Sequence, residues 1–198
     1  MEALAGHLSS DQPKIIMNCL LTMRNMSDLA SGIPDGESLC QDLVNKLRYH
    51  EPVIVSCATG ILANLTANNE KLKLAVCKAN GVPELINLLD KVTLDNKDGK
   101  DIFESALSAL KHLTNNHEGD QRVQEIFVFQ LNGLSILNRH LNPNTNRPSL
   151  KGILNVIRNL LLNKGEITSG NHEAIKREML PQKILQMLEW AMQGLSVG

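Results

Sequence analysis

Apolar residues recur along this chain at steps of three and four, the spacing that lays one stripe along an α-helix. Ile16, Cys19, Leu20, Met23 and Met26 form the first such stripe. Residues 13–29 are therefore predicted as a helix, with Ser9, Ser10 and Asp11 as capping side chains and Pro13 in its first turn. Gly32-Ile33-Pro34-Asp35-Gly36 breaks the chain. Amphipathic helices follow over 37–47 and, entered through Pro52, over 51–66. Residues 68–79 read as a short helix stopped by Asn80-Gly81, a pair suited to a left-handed turn. Residues 82–89, opening with Pro83, read as the next helix. The charged, aperiodic segment 90–101 reads as a loop, and 102–113 as a helix. The order then repeats: helices over 120–130 and 133–141, a turn-rich loop over 142–149, and a helix over 150–162. Two more helices are predicted over 171–178 and 181–193.

Four stretches inside this pattern read as one phrase: LTMRNMSD (21–28), ILANLTANN (61–69), ALKHLTNNH (109–117) and VIRNLLLN (156–163). Each has apolar residues around a polar pair, then Leu or Met, then in most a Ser/Thr/Asn-rich exit. With Asn25, Asn64, His112 and Asn159 as equivalents, the intervals are 39, 48 and 47 residues. Periods of that size indicate stacked helical units of the armadillo or HEAT kind. The expected fold is an all-α, right-handed superhelical armadillo-repeat solenoid with three helices per repeat, the long third helix carrying the phrase. The expected division is 1–29 (end of one repeat), 30–67, 68–116 and 117–163 (repeats), and 164–198 (start of a further repeat). The loops 90–101 and 142–149 account for the longer intervals and leave the stacking surfaces untouched. Neither end offers a capping unit with a polar outer face, so the chain reads as an excerpt of a longer array.

Composition narrows the function. Of 198 residues, 42% are apolar but only 3% aromatic, so Leu, Ile, Val, Ala and Met carry the packing. The formal charge of −1 argues against a generally nucleic-acid-binding surface. Cys19, Cys40, Cys57 and Cys77 lack CxxC pairing and read as small buried hydrophobes in a reducing compartment. The sequons Asn25-Met-Ser27 and Asn64-Leu-Thr66 both fall in the repeated phrase, where a helix position explains them better than glycosylation. No apolar run is long enough to span a bilayer, and the N-terminus has no secretory core. No catalytic fingerprint is present, and His112 and His117, five apart, match one helix face poorly. The reading is a non-enzymatic cytosolic or nucleocytoplasmic chain, with no cofactor, no metal, no direct nucleic-acid binding and no membrane insertion.

In such a stack the third helices line a concave groove. Their outward polar positions are Arg24 and Asn25, Asn64 and Asn68, Lys111 and His112, and Arg158 and Asn159. Lys151 lies two turns before Arg158 on nearly the same face, and Lys73 follows in the next short helix. Every ionisable group in this set is cationic or can become so. Evenly spaced Asn amides could bond both the N–H and C=O groups of an extended peptide, and Lys and Arg could select its acidic side chains. The plainer alternatives are that surface helices simply carry Lys and Arg, and that Asn64 and Asn159 cap their own helices.

The segments ALAGHLSSDQPKIIMNCLLTMRNMSD, CATGILANLTANNEKLKLAVCKANGV, SALSALKHLTNNH and SLKGILNVIRNLLLNKGEITSGNHEAI resemble the armadillo domain of the β-catenin/plakoglobin family. The resemblance covers almost the whole chain, from the end of that domain's sixth repeat into its tenth. It implies a scaffold whose groove binds extended acidic segments. The implied partners are cadherin cytoplasmic tails, T-cell-factor/lymphoid-enhancer-type transcription factors and the adenomatous polyposis coli-type scaffold. The implied roles are cell adhesion, Wnt signalling and transcriptional coactivation, in cytoplasmic, junctional and nuclear pools. By the same resemblance the groove asparagines fall on Asn25, Asn64 and Asn68, and a lysine that contacts a ligand aspartate falls on Lys73. Further basic or histidine positions fall on Lys111, His112, Lys151 and Arg158. Lys111 stands where vertebrate relatives have Arg, and Leu21 where they have Trp. Two other readings compete: an importin-α-like peptide adaptor, whose groove resembles a Trp/Asn ladder with acidic neighbours, and an incomplete structural fragment without ligand. The basic character of the set and the single Trp190 disfavour the adaptor. On this reading Lys73→Glu weakens acidic-ligand binding more than any other groove change, and affinity rises as pH falls through the histidine range.

Overall fold

The computed structural model describes residues 2–27, 35–115, 117–162 and 167–195. Among these it has twelve α-helices: α1 (Glu2–Ala5), α2 (Pro13–Met26), α3 (Gly36–Lys46), α4 (Pro52–Thr66), α5 (Glu70–Lys78), α6 (Gly81–Lys91), α7 (Lys97–Leu113), α8 (Asp120–Glu125), α9 (Gly133–His140), α10 (Arg147–Leu162), α11 (Ile167–Arg177) and α12 (Leu180–Leu195). The helix predicted over 120–130 widens after α8 into a π-helical turn, Ile126–Gln130. The end of the predicted helix 13–29, and most of the break at 32–36, lie outside the described residues.

The two predicted loops are shorter than the sequence suggested. Asp90 and Lys91 belong to α6, and 97–101 already belong to α7. Asn96 starts α7, its Oδ1 accepting the Gly99 N–H at 2.8 Å, a side-chain cap that replaces the missing carbonyl of the first turn. A Cβ on Gly99 would collide with the Thr93 carbonyl, so this glycine lets the connection 92–96 fold back over the helix start. Asn146 acts likewise for α10, accepting the Ser149 N–H at 2.8 Å. A charged run without apolar period hides a helix start because the cap, not the stripe, begins it.

Asn80 ends the α5 segment in the left-handed region at φ 62°, as Asn80-Gly81 predicts, and Asn132 does the same before α9 at φ 52°. Met179 takes the equivalent corner before α12 at φ 55° without asparagine's tolerance for that region.

The helices α2, α4, α7 and α10 stack in chain order, each against the next. The shorter helices make a second layer, α3 on α4 and α5, α6 on α7 and α9. Helix α4 is buried at 12 of its 15 residues, as a helix enclosed on most sides must be. The core runs through Leu20 and Met23 of α2, Ile61 and Leu62 of α4, Phe103 and Leu110 of α7, and Ile153 and Leu160 of α10. Cys19, Cys40 and Cys57 sit in it and Cys77 is half-buried. Burial pushes the Cys40 thiol up to about 12, with a further contribution from Glu37, and the Cys77 thiol up to about 11.

Candidate ligand groove

The repeated phrase has a structural meaning that its sequence only hints at. Asn64 of α4 donates from Nδ2 to Ser27 Oγ at 2.8 Å, and Ser27 donates in turn to the Arg24 carbonyl at 2.8 Å. His112 of α7 places Nδ1 at 3.1 Å from the Ala63 carbonyl and 3.3 Å from Thr66 Oγ1. Asn159 of α10 donates to the Lys111 carbonyl at 2.8 Å and to Thr114 Oγ1 at 3.0 Å. Thr66 and Thr114 hydroxyls bond back to Leu62 and Leu110 carbonyls at 2.8 Å each.

One device thus occurs three times. The polar residue of each of the last three phrases reaches the C-terminal end of the preceding long helix, where His112 and Asn159 meet orphan carbonyls directly and Asn64 meets the Ser27 hydroxyl that serves one. A hydroxyl two residues after the phrase's polar residue then serves the next helix. This explains why the motif looks like a glycosylation sequon: Asn-Leu-Thr and His-Leu-Thr are a donor and a receiver one helix apart. Asn64 and Asn159 do not cap their own helices; they clamp the neighbour's.

The clamp also fixes the chemistry left for a ligand. The Lys111 carbonyl can only accept, so Asn159 must turn Nδ2 toward it, leaving Oδ1 as its remaining acceptor. Asn64 keeps Oδ1 and one N–H. The same rule assigns His112 a proton on Nδ1, which the Ala63 carbonyl requires. Burial, with Lys111 and then Lys73 nearby, lowers the His112 pKa to about 4 against a raising contribution from the Ala63 hydrogen bond. His112 is therefore uncharged through the range 8 to 6, and the expected rise in affinity over that range has no titrating group here to produce it.

The clamps place the phrase residues in one row across successive helices. Asn25 is exposed on α2; Arg24 is half-buried, its Nη1 donating to Ser56 Oγ at 3.1 Å. Lys111 is half-buried on α7, and Lys151 and Arg158 are exposed on α10. Asn68 is exposed but not helical: it turns the chain at φ 55°, and Asn69 caps α5 by accepting the Leu72 N–H at 3.1 Å. Lys73 is 6% exposed. Its ammonium donates to the Asn115 carbonyl beyond α7 at 2.9 Å, at the negative end of that helix's dipole. Burial lowers its pKa while Glu70 and Asp120 pull the other way.

Four residues on this face escaped the sequence reading. Ser56, Glu104, Ser105 and Ser108 accompany Arg24 and Asn64, the last three with Gly60 and Ala63 around a cavity of about 230 Å³. Glu104 accepts Asn146 Nδ2 at 2.9 Å and Ser149 Oγ at 3.4 Å. Its sequence signal was available: Glu104 precedes Lys111 by seven residues, as Lys151 precedes Arg158. His117, the other half of the considered metal pair, donates from Nε2 to the Leu113 carbonyl at 2.6 Å and accepts the Gly119 N–H on Nδ1 at 3.1 Å.

Comparison with known proteins accords with this architecture. No protein-family model matches the chain. The Armadillo segment polarity protein of Drosophila melanogaster is 36% identical over 98% of the chain and 22% of its own length. Catenin beta of Urechis caupo is 36% identical over 92% of the chain and 21% of itself. Human junction plakoglobin is 36% identical over 95% and 24%. The chain therefore spans under a quarter of these relatives. Among solved structures, one from work on a phosphorylation switch controlling the interaction between cadherin and β-catenin superposes with TM-score 0.73 and 29% identity, over 81% of this chain and 29% of that one. A computationally designed armadillo repeat protein for modular peptide recognition superposes at 0.69 over 87% of this chain and 69% of that one, with 17% identity, a likeness of fold alone. Sequence and fold together make this chain an armadillo-repeat segment of the β-catenin/plakoglobin family.

Proposed function

We propose that the chain is a protein-binding scaffold whose inner face holds an extended acidic segment, with no catalytic role. The observation that carries this is the row itself: Arg24, Lys111 and Arg158 occupy equivalent phrase positions on α2, α7 and α10, three of the four long helices that stack in order, with Ala63 of α4 between the first two, and Lys151 adds charge two turns up α10. Cations in a row favour an anionic strand and speed its association at low salt. Asn25, Asn64, Asn68 and Asn159 would hold the strand's backbone, with Asn64 and Asn159 chiefly accepting its N–H groups through Oδ1.

We propose the cytoplasmic tail of a cadherin as the first partner, because a structural neighbour comes from work on that interaction in β-catenin. T-cell-factor/lymphoid-enhancer-type factors and the adenomatous polyposis coli-type scaffold would compete for the same face, at junctional, cytoplasmic and nuclear sites. The repeat units serving it would be 30–67, 68–116 and 117–163, flanked by the partial units 1–29 and 164–198. Among the described residues, no helix is long and apolar enough to cross a membrane.

Fluorescence anisotropy with a labelled Asp/Glu-rich cadherin-tail peptide tests the proposal. The double reversal Lys151→Glu/Arg158→Glu touches two exposed side chains and leaves the clamps intact. It should weaken binding about tenfold at low salt and less at high salt. Equal affinity in parent and variant at low salt would refute charge selection. Lys73→Glu is a poor first test, because it would place a carboxylate against the Asn115 carbonyl; Lys73→Gln keeps a donor there.

A further inference from the structure

The cationic row is interrupted once, and the interruption is built. By the repeat spacing, Arg24, Ala63, Lys111 and Arg158 are equivalent, as are Leu21, Gly60 and Ser108. Helix α4 therefore presents only Gly60 and Ala63 where its neighbours carry larger side chains, and the cavity of about 230 Å³ opens above it. Arg24 reaches into this gap from α2. A Cβ on Gly60 would sit 3.0 Å from its Nε, so the glycine lets the guanidinium lie close over α4. The buried Ser56 Oγ fixes one guanidinium nitrogen at 3.1 Å. On the opposite side α7 supplies Glu104, Ser105 and Ser108. Asn146 and Ser149 of the α10 approach hold Glu104 Oε1 at 2.9 and 3.4 Å.

Both walls of the cavity are thus positioned by second helices and carry opposite charge. A carboxylate entering here gains Arg24 but meets Glu104; an ammonium gains Glu104 but meets Arg24. A primary amide satisfies both, its carbonyl accepting from the guanidinium and its NH₂ donating to the carboxylate. We propose that the Arg24–Glu104 cavity is a specificity subsite that takes an uncharged carboxamide side chain, Asn or Gln, from the otherwise acidic strand. This rests on the groove-binding reading above and adds to it a position where acidity is penalised.

The test is a positional scan of labelled Asp/Glu-rich peptides in which each position in turn is Gln, Glu or Lys, measured against the parent chain, Glu104→Gln and Arg24→Gln. The parent should prefer Gln over Glu and over Lys at one position by about tenfold, the size of one charge-assisted hydrogen bond lost. Glu104→Gln keeps an acceptor for Asn146 and Ser149, and should abolish the penalty for Glu at that position while leaving the penalty for Lys. Arg24→Gln should do the reverse, so either variant alone suffices if the other fails to fold. Binding without a Gln-preferring position, or a preference that neither variant changes, overturns the subsite and leaves the scaffold reading standing. Failure of every acidic peptide to bind the parent overturns both.

Discussion

His112 replaces, in one phrase, the Asn that Asn64 and Asn159 supply in two others. Imidazole Nδ1 and amide Nδ2 stand the same number of bonds from Cα, so either can reach the neighbouring helix end. They differ in acid. The folded His112 pKa lies near 4, below its ordinary 6.5, so as pH falls the unfolded chain takes up a proton before the folded one does. Its contribution is complete above about 6.5 and is lost between there and about 4. Thermal melts should show the parent losing stability from pH 7 to pH 5, and His112→Asn losing distinctly less; identical losses would mean the ring does not report on the clamp. Met179 offers a second residue-scale test. A left-handed methionine costs about 1–2 kcal/mol that Gly or Asn largely avoids. Met179→Asn should accordingly raise urea-denaturation stability by about 1 kcal/mol.

At the scale of elements, the clamps tie each long helix to the end of the one before it. Asn159→Ala removes two donors and leaves the Lys111 carbonyl half-served, so it should cost about 1–2 kcal/mol in chemical denaturation. Hydrogen exchange should then quicken at the α7 end before it quickens in α4, because α7 carries the released carbonyl. The buried polar chain behind the clamps belongs to the same scale. Gln124 donates to the Thr114 carbonyl at 2.8 Å, and Asn171 donates to Gln124 at 2.8 Å and to the Leu160 carbonyl at 3.2 Å. Helix ends are joined through side chains here because the last carbonyls of a helix have no partner within it and these lie buried.

For the whole molecule, the proposed groove makes the row of cations, rather than the net charge, the determinant of association. With a formal charge of −1, the chain has no large uniform field, so only a ligand that follows the row gains from it. The salt dependence of acidic-peptide binding should therefore fall sharply when Lys151 and Arg158 are reversed together. Reversing the exposed Lys176 and Arg177, off the phrase helices, should leave it unchanged; stopped-flow association rates at two ionic strengths would show this.

The spacing of apolar residues determined the helices, their order and the long period, because a stripe at three- and four-residue steps is a local property. The phrase determined which residues share a face, since equivalent positions in a stack must coincide. It did not tell that Asn64, His112 and Asn159 turn toward the end of a neighbouring helix, that Lys73 is buried against Asn115, or that Glu104 stands opposite Arg24. Those facts depend on which helix end lies beside which side chain. That adjacency joins residues 37 to 49 apart in sequence through hydrogen bonds, and residues 80 apart across the Arg24–Glu104 cavity, and comes into being only when the helices stack.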